Sequence, residues 1–206
     1  EFDIDFPHVI AYSLPTPFFI DRPVVDQKML STIQAGLVRL VVAGVDFIAM
    51  PCNGAHAYYD DLQDKLGVPL LHIVDETIQA IGSAKRVAIL QVPLTRKSGV
   101  YTERLRKYGI DIVDSDALQE TVNKLVDHFK NQGSLDVVRD TWTDLIDQLQ
   151  ADGCDAVILA CTDLSPLLDL PCELKVVDST HELAKATIRT YIKKVEEHKE
   201  LNQLVR

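Results

Sequence analysis

One short phrase occurs twice in this 206-residue chain, and a chain that repeats itself at such a distance is constrained to fold as two related units. The first copy runs Ala43-Gly44-Val45-Asp46 through an apolar stretch to Pro51-Cys52-Asn53, and the second runs Asp152-Gly153-Cys154-Asp155 to Ala160-Cys161-Thr162. In both, Cys stands eight residues after Gly, and the two cysteines are 109 residues apart. A second matched apolar segment ending in an acid follows each copy, VPLLHIVDET over 68–77 and LKVVDST over 174–180. This is the pattern of a duplicated α/β unit, with a thiol at the C-terminal end of one strand in each half. Open parallel sheets keep their ligand crevices at that end.

Short β-branched runs alternate with segments of helical period, which predicts parallel sheets with helices on their faces. Strands are expected over 8–12, 46–50 and 70–74 in the first half, then over 86–90, 110–113, 156–160 and 174–177. Helices are expected over 25–43, 55–66, 75–82, 95–108, 117–130, 134–151 and 181–205. The division that follows places a first α/β domain at 1–83, joined by the last helix over 181–206, and a second at 84–180, with Gly82-Ser83-Ala84 as the hinge. The second half opens with a strand and helix that have no counterpart in the first. The first sheet is therefore expected to lack its opening strand and helix, and since residue 1 is Glu, the chain is expected to be a trimmed form of a longer one.

A net charge of −10 leaves no basic patch with which to displace counterions from a phosphate backbone, so nucleic acid is an unsuitable partner. The same charge requires any anion site to be locally cationic. Arg39 and Asp46 interrupt the longest apolar stretch, which removes the membrane as a partner, and the acidic opening is unlike a signal peptide. Four Cys without a C-x-x-C pair read as reduced thiols, which points to the cytoplasm. No H-E-x-x-H, G-x-G-x-x-G or Walker pattern is present, so neither a metal nor a nucleotide cofactor is expected.

Each repeated thiol stands at a strand-to-helix turn, where free backbone N–H groups favour negative charge. A thiolate is expected to form more easily there, and a substrate carboxylate would find donors. Two such thiols across one cleft could remove a proton from one face of a carbon and deliver another to the opposite face. An isolated Cys after a strand is more often a small buried hydrophobe, the reading given to Cys154 and Cys172; the paired placement of Cys52 and Cys161 argues for chemistry. His56 and His181 fall at expected helix starts. His56 is placed to polarise the Cys52 thiol, although a capping histidine is the commoner case.

The stretches PCNGAH at 51–56, LACTDL at 159–164 and IDRP at 20–23 resemble the aspartate/glutamate racemase family, in its cofactor-independent aspartate racemase branch, and the resemblance runs through nearly the whole chain in order. It implies two pseudo-symmetric α/β domains, each a parallel sheet flanked by helices, with the active site in the cleft between them. It also implies that Cys52 and Cys161 act as opposed acid and base with no cofactor, interconverting L- and D-aspartate, with glutamate as the alternative substrate. Carried over by motif, Arg22 would hold a substrate's side-chain carboxylate and Lys130 would be the second cationic contact. Asn53, Gly54, Thr162 and Asp163 would complete the substrate site.

Three departures from the family pattern stand out. Gly54 replaces a Thr and so removes a hydroxyl; around the second Cys, Ala160 replaces a Gly and Asp163 replaces a Glu one methylene longer; and the glycine-rich opening strand and turn typical of the family are absent, matching the gap expected from the internal repeat. Two other readings stay open beside the racemase: a dicarboxylate-binding homologue without catalysis, and an isomerase or decarboxylase that uses one thiol. The expected partner is a small dicarboxylic amino acid, and the expected assembly a homodimer.

Overall fold

The computed structural model describes residues 7–15 and 26–204, and within them two parallel sheets are flanked by helices. The smaller sheet pairs β1 (Ile48–Ala49) with β2 (Leu70–Leu71). The larger has four parallel strands in the order β4-β3-β5-β6, from β3 (Arg86–Gln91), β4 (Asp111–Val113), β5 (Ala156–Ala160) and β6 (Lys175–Asp178). All five residues of β5 are buried. A central parallel strand is covered on both faces, so it reads as a continuous apolar run rather than an alternating one.

The pleat sorts the core of the larger sheet into two layers. Ala88, Leu90, Val157 and Leu159 point to one face and pack with α6 (Asp116–Lys130) and α7 (Leu135–Ala151) around fully buried Trp142. Val87, Ile89, Ala156 and Ile158 point to the other and pack with α3 (Ile73–Ile81) and α5 (Val100–Lys107). The smaller sheet has its own core, in which Met29, Ile33 and Leu37 of α1 (Gln27–Val42) form one helix face over Ile48 and Leu70. Asp26 caps α1, its carboxylate accepting from the N–H groups of Lys28 and Met29 at 3.0 and 3.1 Å.

The repeated phrase has a structural cause in each of its first parts. Gly44 closes α1 and Gly153 closes α7 with φ of +85° and +75°, left-handed values that suit glycine, so each chain end turns back into a strand. Cys154 N–H then donates to Leu149 C=O at 2.9 Å, completing the turn in the second copy. The Asp155 carboxylate accepts from the N–H groups of Lys85 and Arg86 at 2.7 and 2.9 Å, tying the start of β5 to that of β3 and holding its pKa below the usual value. Gly builds the turn in both copies, Asp155 ties down the strand start in the second, and the Cys is left at the far end of the strand.

Several expectations need correction. No strand forms over 8–12: residues 7–15 have no regular structure, Tyr12 and Leu14 lie over Gly36 of α1, and Val9 and Ile10 are exposed. Apolar alternation there serves packing on a helix. The helix expected over 55–66 is a 3-10 helix, Gly54–Tyr58, running into the short α2 (Tyr59–Gln63). That over 95–108 is two helices, α4 (Pro93–Ser98) and α5, broken where Gly99 takes φ of +70°. The strand over 70–74 stops at Leu71 because His72 caps α3, its Nδ1 accepting from Asp75 N–H at 3.4 Å. The strand-to-helix turn expected at Cys161 leads into a second 3-10 helix, Thr162–Asp169, rather than an α-helix. The last helix, α8 (Ser179–Leu204), packs against α3 and against strands of both sheets.

Candidate active site

A cavity of about 570 Å³ opens at the C-terminal ends of β3 and β5 and is lined by both repeated cysteines. Cys52, Asn53 and Gly54 enter it from the turn after β1, while Cys161, Thr162 and Asp163 enter from the turn after β5. Lys130, in the last turn of α6, completes one side. Seven of the residues singled out from the sequence thus meet around one space. Arg22 lies outside the described residues.

The two thiols have different neighbours. Cys52 is partly buried, and the N–H groups of Gly54 and Ala55 at the start of the 3-10 helix face its sulfur. Cys161, in extended conformation just before the second 3-10 helix, directs its S–H to Asp163 Oδ2 at 3.6 Å. Lys130 Nζ stands 3.6 Å from the same oxygen. Burial pushes both thiols above the ordinary value, and Cys161 reaches about 12 because the Asp163 carboxylate adds to the effect of burial, against Lys130. This reverses the expectation that the turns would make thiolates easier to form. Two N–H groups on a single 3-10 turn do not offset the lost solvation of a buried charge.

Asn53 is held more tightly than its sequence context suggests. Its side-chain Oδ1 accepts from Tyr101 OH at 2.6 Å and its Nδ2 donates to Ser179 Oγ at 2.9 Å, while Ser179 Oγ donates to Leu159 C=O at 2.9 Å. Tyr101 is fully buried and its hydroxyl is pushed further up in pKa, so it stays a donor. This chain of bonds joins the Cys52 turn to α5, to α8 and to β5, next to Cys161. Neither Tyr101 nor Ser179 was singled out from the sequence as a site residue: Tyr101 is a polar residue inside an ordinary helical pattern, and Ser179 lies in the matched segment over 174–180, ahead of the expected last helix.

His56 does not face the thiol. Its Nδ1 lies 2.9 Å from Cys52 C=O and its Nε2 accepts from Ile73 N–H at 3.2 Å, so both ring nitrogens serve the backbone. Burial lowers its pKa and keeps the ring neutral. His181, in the first turn of α8, is engaged through its N–H, which donates to Asp178 Oδ1 at 2.9 Å. Thr95, which opens into the same cavity, is fully buried and its hydroxyl lacks a protein partner. Cys154 is buried in the core, Cys172 packs at its edge, and both are free thiols. Among the described residues no three His, Cys, Asp or Glu side chains gather as a metal site, and no helix is long and apolar enough to cross a membrane.

The family model of Asp/Glu/Hydantoin racemase matches residues 4–187. The broad specificity amino-acid racemase RacX of Bacillus subtilis (strain 168) is 41% identical over 192 residues, which is 92% of this chain and 84% of that protein. The aspartate racemase of Picrophilus torridus superposes with a TM-score of 0.66 at 30% identity, over 78% of this chain and 68% of the other. An aspartate racemase homologue from Pyrococcus horikoshii OT3 gives a TM-score of 0.69 over 80% of this chain and 74% of its own; at 22% identity, that likeness speaks for the fold alone.

Proposed function

This chain belongs to the Asp/Glu/Hydantoin racemase family, and from that premise we propose that it is an amino-acid racemase in which Cys52 and Cys161 exchange the α-proton with the two faces of the substrate carbon. The observation that carries the reading is that both cysteines of the repeated phrase line one cavity, one from the turn after each sheet. Aspartate is the substrate we assign first, supported by the aspartate racemase of Picrophilus torridus among the relatives, with the cell interior as the place of action and no cofactor in the reaction.

The chemistry follows from burial. A raised thiol pKa keeps both sulfurs protonated while the cavity is empty, which also protects them from oxidation. An amino-acid substrate brings an ammonium group, and a positive charge beside a buried thiol favours its thiolate. Cys52, with two N–H groups at its sulfur and Asp163 acting on it only through space, releases its proton to solvent first and acts as the base. Cys161 retains its proton through Asp163 and delivers it to the opposite face. In the reverse direction the roles exchange, and Lys130 beside Asp163 supports the negative charge then left on the second thiol.

The growing charge on the substrate's α-carboxylate needs donors. We assign this to the N–H groups of the two turns at Gly54 and Thr162, with Asn53 setting the geometry of the first turn through Tyr101 and Ser179. Arg22 and Lys130 remain the proposed contacts of a side-chain carboxylate. Incubation with L-aspartate alone, followed by separation of the enantiomers, tests the reading. D-aspartate should accumulate until the two are equal; no D-aspartate, with tight binding of L-aspartate, would favour a binding protein instead.

A further inference from the structure

The 3-10 turn after Cys52 departs from its own hydrogen-bond pattern at one place. In such a turn Ala55 N–H would donate to the carbonyl three residues back, that of Cys52. Here the Cys52 carbonyl is met instead by the His56 ring, with Nδ1 2.9 Å from the oxygen, and Ala55 N–H faces the Cys52 sulfur together with that of Gly54. The pattern resumes one residue on, where His56 N–H donates to Asn53 C=O at 3.1 Å. At its other nitrogen the ring accepts from Ile73 N–H at 3.2 Å, with Leu71 C=O farther away at 3.4 Å. A neutral imidazole that meets a carbonyl at Nδ1 and an N–H at Nε2 carries its proton on Nδ1.

The ring is buried and walled in. Tyr59 stacks on it with centroids 5.9 Å apart, and His72 meets it edge-on at 5.1 Å. Two charges act on it through space, Arg104 of α5 and Asp75 of α3, and they are paired with each other at 2.8 Å. We infer that His56 is the positioning residue of Cys52: its Nδ1–H gives the Cys52 carbonyl a donor and so leaves Ala55 N–H to the sulfur, where it supports the thiolate that accepts the substrate's α-proton. The inference rests on the racemase reading and adds to it a residue that acts through Cys52 without touching the substrate.

Two variants separate this role from simple packing. His56→Leu fills the space without a donor, while His56→Asn keeps an N–H near the place of Nδ1; both give up the acceptor for Ile73 N–H, so both should lose stability. In His56→Leu the alkylation of Cys52 by iodoacetamide should move to higher pH, with a rate at neutral pH ~10-fold lower, while Cys161 keeps its profile. Its kcat for aspartate should fall by a similar factor with KM little changed, and His56→Asn should restore most of both. Equal losses in the two variants, or a shift shared by Cys52 and Cys161, would overturn the inference. Nitrogen-15 magnetic resonance of the unaltered chain adds a check that depends on no variant folding. Alkylation and tautomer are both read without turnover, so their outcomes stand apart from that of the racemase reading. The spectrum should show His56 as the Nδ1–H tautomer at neutral pH; the Nε2–H tautomer would overturn the inference.

Discussion

The turn at Cys52 and the turn at Cys161 share a backbone plan and differ in what surrounds the sulfur. Each follows a left-handed glycine, a strand and a Cys, and each runs on into a 3-10 helix. At Cys52 the sulfur meets two backbone N–H groups, and the turn is anchored by a buried amide. At Cys161 it meets the Asp163 carboxylate, with Lys130 behind it. Backbone duplication therefore supplied two equivalent positions, and side chains outside the repeat made one thiol easier to ionise than the other. Racemisation needs one group that accepts a proton while the other holds one, and this difference favours the state in which Cys52 is the base.

The largest effect expected is on the two single-cysteine variants. Cys52→Ala and Cys161→Ala should each lose ~10³-fold or more in racemisation, the scale of a missing acid or base. They should differ in what remains. Cys161→Ala keeps the more readily ionised thiol and should still exchange the α-proton of one enantiomer with solvent. Cys52→Ala keeps the thiol at about 12 and should exchange more slowly, by at least ~10-fold. Nuclear magnetic resonance of the substrate in heavy water measures both, and equal residual exchange would break the comparison.

A smaller and signed effect is expected from the charges beside Cys161. Asp163 raises this thiol's pKa and Lys130 lowers it. Asp163→Asn should therefore move its alkylation to lower pH and raise its rate at neutral pH by ~10-fold, and Lys130→Met should move it to higher pH. Peptide mapping after timed treatment with iodoacetamide follows each cysteine separately. Shifts of the same sign in both variants would refute the assignment. Cys52, which Asp163 reaches only through space and without a hydrogen bond, should move less.

Much of this arrangement was legible in the sequence, and the reasons are physical. The duplicated Gly and Cys mark backbone turns that only certain residues satisfy, and β5 announces itself as an unbroken apolar run because both its faces are covered. What stayed hidden depended on tertiary contacts. The 8–12 stretch alternates like a strand but has no strand beside it, so it packs over Gly36 instead. The thiol pKa values were misjudged because burial depends on neighbours from distant elements. Tyr101 and Ser179 are separated from Asn53 by 48 and 126 residues, and no local pattern links them.

The anchor of the Cys52 turn gives the next prediction. Tyr101→Phe leaves Asn53 Oδ1 buried without a donor and should lower stability by about 1–3 kcal/mol in urea denaturation. It should also reduce turnover by loosening the turn that holds Cys52, while alkylation of Cys161 stays near its original rate. The smallest effect belongs to Cys154→Ala, a core thiol outside the cavity, which should cost about 1 kcal/mol of stability and leave racemisation unchanged.

The central claim is that two different groups serve the two faces of the substrate carbon. It is tested most directly by starting with one pure enantiomer of a turned-over amino acid in heavy water and stopping at low conversion. Mass spectrometry after chiral separation then reads deuterium in product and in recovered substrate. The account predicts product carrying one solvent deuterium at the α-carbon and recovered substrate that is still almost wholly protiated, from either enantiomer. Deuterium appearing equally in recovered substrate and product at early times would mean that a single group serves both faces, and would contradict it.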